Sequence, residues 1–340
     1  MKKSLVALAV LAASGASFAQ SSVTLYGVAD AWIGQTEAMG VNSTKQTKLG
    51  SGGVASSRFG FMGSEDLGGG LKANFKLEQG FGIDTGAAGQ TDGFFATATN
   101  ASFSRYAYVG FSGGFGEVKL GKTGTAYDDI WGSGNSGFDS ALSANNEVLQ
   151  SGNYSWNPSN SIYYATPSMS GFSAAASYSL GENKDTPVAG VGAGSIVSMN
   201  VQYGAGPIAA ALGYQVQKPT DASTEQKFTR LTGSYNFGMA KLIAGYGRVD
   251  INPMVTNEYE LGVDFPVSSA LVLSAGIAHS KDDATATSVE TTRKGYSLAA
   301  NYTLSKRTAI YGGYRAATTE ASGKADQDGS LFAVGVTHRF

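Results

Sequence analysis

Ser330-Leu331-Phe332-Ala333-Val334-Gly335-Val336-Thr337-His338-Arg339-Phe340 separates cleanly when read in steps of two. Phe332, Val334, Val336, His338 and Phe340 fall on one face; Ala333, Gly335, Thr337 and Arg339 fall on the other. Period two over this length means a β-strand between two different environments. The apolar face runs unbroken to the terminal aromatic ring. On a soluble sheet such an edge invites aggregation. Pairing it with the first alternating stretch, residues 23–33, removes the edge and closes a barrel. A closed barrel is one of only two backbone arrangements that satisfy every amide within lipid.

The rest of the chain fits that expectation. Residues 1–19 carry Lys2 and Lys3, an apolar run over 5–13 and then Ser17-Phe18-Ala19, the layout of a secretory signal peptide cleaved after Ala19. That run is too short for a membrane anchor, which needs about 20 apolar residues. Export is the expectation, with residues 20–340 forming one domain. The 34 Phe and Tyr residues argue against disorder, and the absence of cysteine removes disulfide frameworks and thiolate metal sites. Without Lys2 and Lys3 the chain has 22 basic residues against 26 acidic ones, which excludes the strongly basic face that nucleic acid wants.

Sixteen alternating segments can be counted, near residues 23–33, 57–64, 71–81, 105–111, 117–121, 161–166, 172–179, 196–203, 208–217, 228–237, 240–249, 258–265, 271–279, 295–302, 309–315 and 331–340. An even count suits a single-chain outer-membrane barrel. Seven connections are short, such as 66–70 and 112–116. Between them lie longer polar stretches such as 34–56, 82–104, 181–195, 281–294 and 316–329. Short turns at one end and long loops at the other are the habit of transmembrane barrels. Within strands, apolar residues oppose charged ones: Ala73, Phe75 and Leu77 face one way, while Lys72, Lys76 and Glu78 face the other. Inward charges on many strands imply an aqueous channel, because a small barrel fills its interior with side chains. The fold read from the sequence is all-β, a 16-stranded antiparallel transmembrane β-barrel.

Several stretches resemble the trimeric general porins of Gram-negative bacteria, of the betaproteobacterial type. They are Ser21-Ser22-Val23-Thr24-Leu25-Tyr26-Gly27, Ser57-Arg58-Phe59-Gly60-Phe61, residues 63–73, residues 115–121, Leu304-Ser305-Lys306-Arg307-Thr308-Ala309 and the terminal His338-Arg339-Phe340. The resemblance spans the mature chain in order. It implies a homotrimeric outer-membrane pore, set among outer-membrane lipid and lipopolysaccharide, for passive, size-limited diffusion of small hydrophilic solutes and ions. It also implies that the terminal Phe is read by the barrel-insertion machinery. No cofactor is expected. An outer-membrane barrel enzyme, or an adhesin with a plugged lumen, is the alternative.

Candidate chemistry is sparse. Residues 116–123 fit the Walker A phosphate-loop letters, but residues 117–120 are themselves a strand and no helix follows, so the phosphate cradle cannot form. With two histidines and no G-x-S-x-G motif, neither a catalytic triad nor a metal site is expected. The anomaly is the loop at 123–158, too long for an ordinary connection. It carries Asp128, Asp129, Asp139 and Glu147 and no Lys or Arg. A solvated outer loop would account for those acids equally well. The resemblance implies instead that this third outer loop folds inward and narrows the channel. The wall opposite would hold Arg58, Lys76, Arg105, Lys119 and Lys122. Arg58, Lys76 and Lys119 face inward by alternation. Arg105 and Lys122 are out of phase, and their lumenal place rests on the resemblance. The family's arginine cluster usually has a further cation just before the Asn-Ser-Ile segment; Trp156 and Asn157 stand there here.

Overall fold

The computed structural model describes residues 22–89, 102–181, 194–218, 224–286 and 288–340. The signal-peptide expectation lies outside them, as do parts of the loops at 82–104 and 181–195.

Seventeen antiparallel segments close into one ring. In chain order they are β1 (Ser22–Gly40), β2 (Lys45–Ser51), β3 (Arg58–Gly68), β4 (Leu71–Gly80), β5 (Tyr106–Gly113), β6 (Gly116–Lys122), β7 (Ser161–Ala165), β8 (Phe172–Ser179), β9 (Ser195–Ala205), β10 (Ile208–Lys218), β11 (Gln226–Asn236), β12 (Lys241–Ile251), β13 (Met254–Pro266), β14 (Leu271–Asp282), β15 (Thr291–Thr303), β16 (Thr308–Ala321) and β17 (Gln327–Arg339). β2 and β3 share one position: β1 pairs its residues 31–37 with β2 and its residues 22–28 with β3. The barrel therefore has sixteen strand positions. β1 and β17 pair from Val28 with Arg339 to Gly40 with Asp328, closing the ring.

The two faces separate as alternation requires. On β13, Tyr259 and Leu261 are more than half exposed, whereas Glu258 and Glu260 are buried. The apolar set faces lipid, and the paired backbone leaves no unsatisfied edge there. At the seam, Phe340 exchanges both backbone bonds with Gly27, at 3.0 and 3.1 Å. Its ring lies across Gly27, where any Cβ would collide with it. The β3–β4 turn places Gly68, Gly69 and Gly70 at φ +87°, +61° and +80°, a run that only glycine adopts without strain.

The strands run further than sequence alternation suggests. The stretch expected as a loop over 316–329 is strand on both sides of residues 322–326, and β12 reaches β13 through residues 252 and 253 alone. β2 occupies part of the expected loop over 34–56. Outside the hydrocarbon layer a strand needs no apolar face. Backbone pairing therefore continues through Thr318, Thr319 and Glu320 after the hydropathy pattern has ended.

Candidate permeation site

Residues 123–160 leave β6 and return to β7 through short helical turns, including Asp128–Trp131 and Asn145–Val148. Their partners are the polar faces of many strands. The Tyr127 amide donates to Ser198 Oγ on β9 at 2.7 Å, and the Gly137 amide donates to Ser274 Oγ on β14 at 2.8 Å. Glu258 on β13 accepts from the Ser151 amide at 3.1 Å. Arg230 on β11 binds Glu260 and donates to Asn135 Oδ1 at 2.8 Å, with its guanidinium 4.2 Å from the Trp131 ring centre.

Glycines on the same strand faces make room for the segment's apolar side chains. A Cβ on Gly213, Gly295 or Gly313 would meet Ile130, Val148 or Leu142 at 2.6, 2.8 and 3.0 Å. All three guest side chains are fully buried. These sockets were not legible beforehand, since a glycine opposite an apolar residue also occurs in any exposed strand.

A cavity of about 700 Å³ lies between this segment and the strands β3 and β5, bordered by Arg58, Arg105, Arg339, Asp128 and Asp139. Its basic side is organised by one carboxylate. Glu78, fully buried, accepts from Arg105 Nε at 2.7 Å and from the Tyr26 hydroxyl at 2.7 Å. Lys76 Nζ lies 3.3 Å and Arg58 Nε 3.7 Å from its second oxygen. Arg58 also donates to the Ser56 carbonyl at 2.8 Å.

Arg105 sits one residue before β5 begins at Tyr106, so the strand's alternation does not bind it. Its side chain turns to Glu78 while Val109 and Phe111 stay exposed on the opposite face. Arg339, opposite Val28 in the β1–β17 register, is a further cation beside the cavity. It was not among the sequence candidates, although its position out of phase with Phe340 puts it on the inner face.

The other sequence candidates are distributed elsewhere. Lys76 does not border the cavity; its Nζ lies 4.0 Å from the Tyr106 ring centre. Lys119 pairs with Glu117 at 2.9 Å, beneath the Tyr163 ring. Lys122 donates to the Asn157 carbonyl at 2.7 Å, holding the returning limb of the segment. Asp129 accepts from the Tyr163 hydroxyl at 2.7 Å and from Asn200 at 3.1 Å, on the side facing β7 and β9. Glu147 binds Arg315 of β16 at 2.7 Å. For these residues the nearest opposite charge or hydroxyl determines the place, and sequence carries no record of it.

Asp128 accepts from the Tyr154 hydroxyl at 2.6 Å. Burial among the segment's aromatic rings pushes its carboxyl up to about 7, against the lowering effect of that hydroxyl. Burial, reinforced by the same carboxylate, pushes Tyr154 well above its ordinary value. No group of three or more metal-ligating side chains occurs among the described residues.

Residues 4–322 match the family described as Gram-negative porin. The outer membrane porin protein 32 of Delftia acidovorans is 35% identical over 340 residues, covering 92% of this chain and 88% of that protein. An outer membrane porin protein of Bordetella pertussis is 30% identical over 404 aligned residues, spanning both chains in full. Among solved structures, the anion-selective porin from Comamonas acidovorans superposes with a TM-score of 0.77 at 27% identity, covering 94% of this chain and all of that one.

Proposed function

This chain belongs to the Gram-negative porin family and is a water-filled diffusion channel of the outer membrane, and from that premise we propose that residues 123–158 fold into the lumen and set a weakly anion-preferring constriction. The observation that carries the proposal is the cavity itself, with Arg58, Arg105 and Arg339 on the wall and Asp128 and Asp139 on the segment. Opposed charges across a narrow aqueous gap create a transverse field that orients polar solutes as they pass. Three cations against two acids leave a small positive excess. The Comamonas relative is anion-selective; here the cation expected near Asn157 is missing and Arg339 supplies another.

The lumenal charges serve permeation and not catalysis. The chain works as a homotrimer within lipid and lipopolysaccharide, after loss of residues 1–19 and insertion by the barrel-assembly machinery.

The test is the zero-current potential of purified protein in a planar bilayer across a salt gradient. A modest anion preference is expected, lost in Arg58→Ala and strengthened in Asp128→Asn combined with Asp139→Asn. An unmoved potential in both variants, at normal conductance, would place these charges away from the narrowest section.

A further inference from the structure

The cavity sets an aromatic ring against one of its three bordering cations, Arg105, and has further rings on its border, an arrangement that a pore for simple ions does not need. The Arg105 guanidinium lies 4.9 Å from the Trp156 ring centre. Tyr106 meets Trp156 edge-on, with ring centres 6.0 Å apart at 71°. Trp131 borders the same space from the segment's first helical turn. Arg58 and Arg339 stand at the cavity with Arg105, and Asp128 and Asp139 complete its border. A cavity of about 700 Å³ lies in the range that encloses a small organic molecule.

Each feature selects one part of a solute. Guanidinium groups take a carboxylate through paired hydrogen bonds. Indole and phenol rings favour a second aromatic ring over a saturated one of similar size, through offset or edge-to-face contact. Two aspartates at the border repel additional negative charge, which favours a monoanion over a dianion.

We infer that the constriction is a weak binding site for aromatic monocarboxylates, held by the ring of Trp156 and the arginines beside it. The inference rests on the channel reading and names the solute class that the same site retards and enriches. A brief dwell at the narrowest point accelerates net flux at low outside concentration, provided that binding is weak enough to permit exit.

The test uses the full-length protein in a planar bilayer with potassium chloride. Ionic current is recorded while benzoate, cyclohexanecarboxylate or acetate is added to one side. Benzoate should reduce the current at a concentration about threefold to tenfold below that of cyclohexanecarboxylate, the range that an aromatic pair contributes. Acetate should reduce it least. Trp156→Leu should erase the difference between the two ring acids, and Trp156→Phe should restore it. Arg339→Gln should weaken inhibition by both ring acids together. Equal inhibition by benzoate and cyclohexanecarboxylate in the natural protein overturns the inference, as does a benzoate preference that survives Trp156→Leu. Absence of any ionic current before organic acid is added would instead overturn the channel reading.

Discussion

Glu78 Oε1 receives the Nε–H of Arg105 at 2.7 Å, from a residue that strict alternation along its strand would turn toward lipid. The same buried carboxylate faces Lys76 and Arg58, so one acid holds three cations together. Glu78→Gln removes the shared negative charge and should shift the zero-current potential toward anions. The screening length is about 8 Å at 0.15 M salt and about 3 Å at 1 M, so the shift should shrink as salt rises. Potentials that match the natural protein at every salt concentration would show that permeating ions do not sense this group.

Asp128 predicts a pH dependence. Its carboxyl titrates near 7 in the folded chain and near the ordinary carboxylate value once unfolded. A raised folded value means that this group's contribution to stability is fully present below the unfolded value and is lost as pH rises through the folded value of about 7. The charge follows the same order: Asp128 is neutral at about pH 5 and ionised at about pH 8. Anion preference should therefore fall between those limits, and Asp128→Asn should flatten the step. A step that persists in the variant would assign the titration to another group.

Arg230 and Glu260 predict the consequence of loosening the long segment. Removing one partner of a buried ion pair costs about 3–5 kcal/mol, because the other charge is left uncompensated. Arg230→Ala should free the turns around Trp131 and Asn145, giving noisier openings and protease cutting within 123–158. The barrel itself should still fold, as its backbone ladders do not involve that side chain. Natural current noise together with an uncut segment would show that the glycine sockets alone suffice to hold it.

Phe340 and Arg339, adjacent in sequence, should fail differently. Deleting Phe340 removes the ring over Gly27 and two seam hydrogen bonds, so the yield of heat-modifiable folded barrel should drop. Arg339→Ala keeps the seam and should alter selectivity with little loss of yield. Equal yields from the two variants would contradict the division of roles between lipid face and lumen.

The sixteen strand positions were legible because period-two hydropathy is imposed by lipid on one side and water on the other. The reading failed where that pressure ends. Thr318 to Ala321 remain strand in water, and β2 is polar enough to pass for loop. Arg58 could be placed by counting because it lies on a strand; Arg105 could not, because it precedes one. Arg339 was on the inner face by parity, but only the register opposite Val28 brings it beside Arg58. Among the loop acids, charge marked the candidates. Asp128 finds its hydroxyl partner, Tyr154, within the segment itself, whereas the partners of Asp129 and Glu147 are Tyr163 on β7 and Arg315 on β16.

Because β1 pairs with β17, the wall joins the earliest strand made to the last one made. Until β17 pairs with β1, both borders of the sheet carry unpaired amides and carbonyls. Such borders stick to one another, and contacts distant in sequence form slowly. The polypeptide must therefore be kept apart from its neighbours throughout synthesis and transit, and a prematurely terminated copy can never seal. The topology thus supplies its own inspection: an unfinished product stays open-sided and available to proteases, instead of becoming a leak.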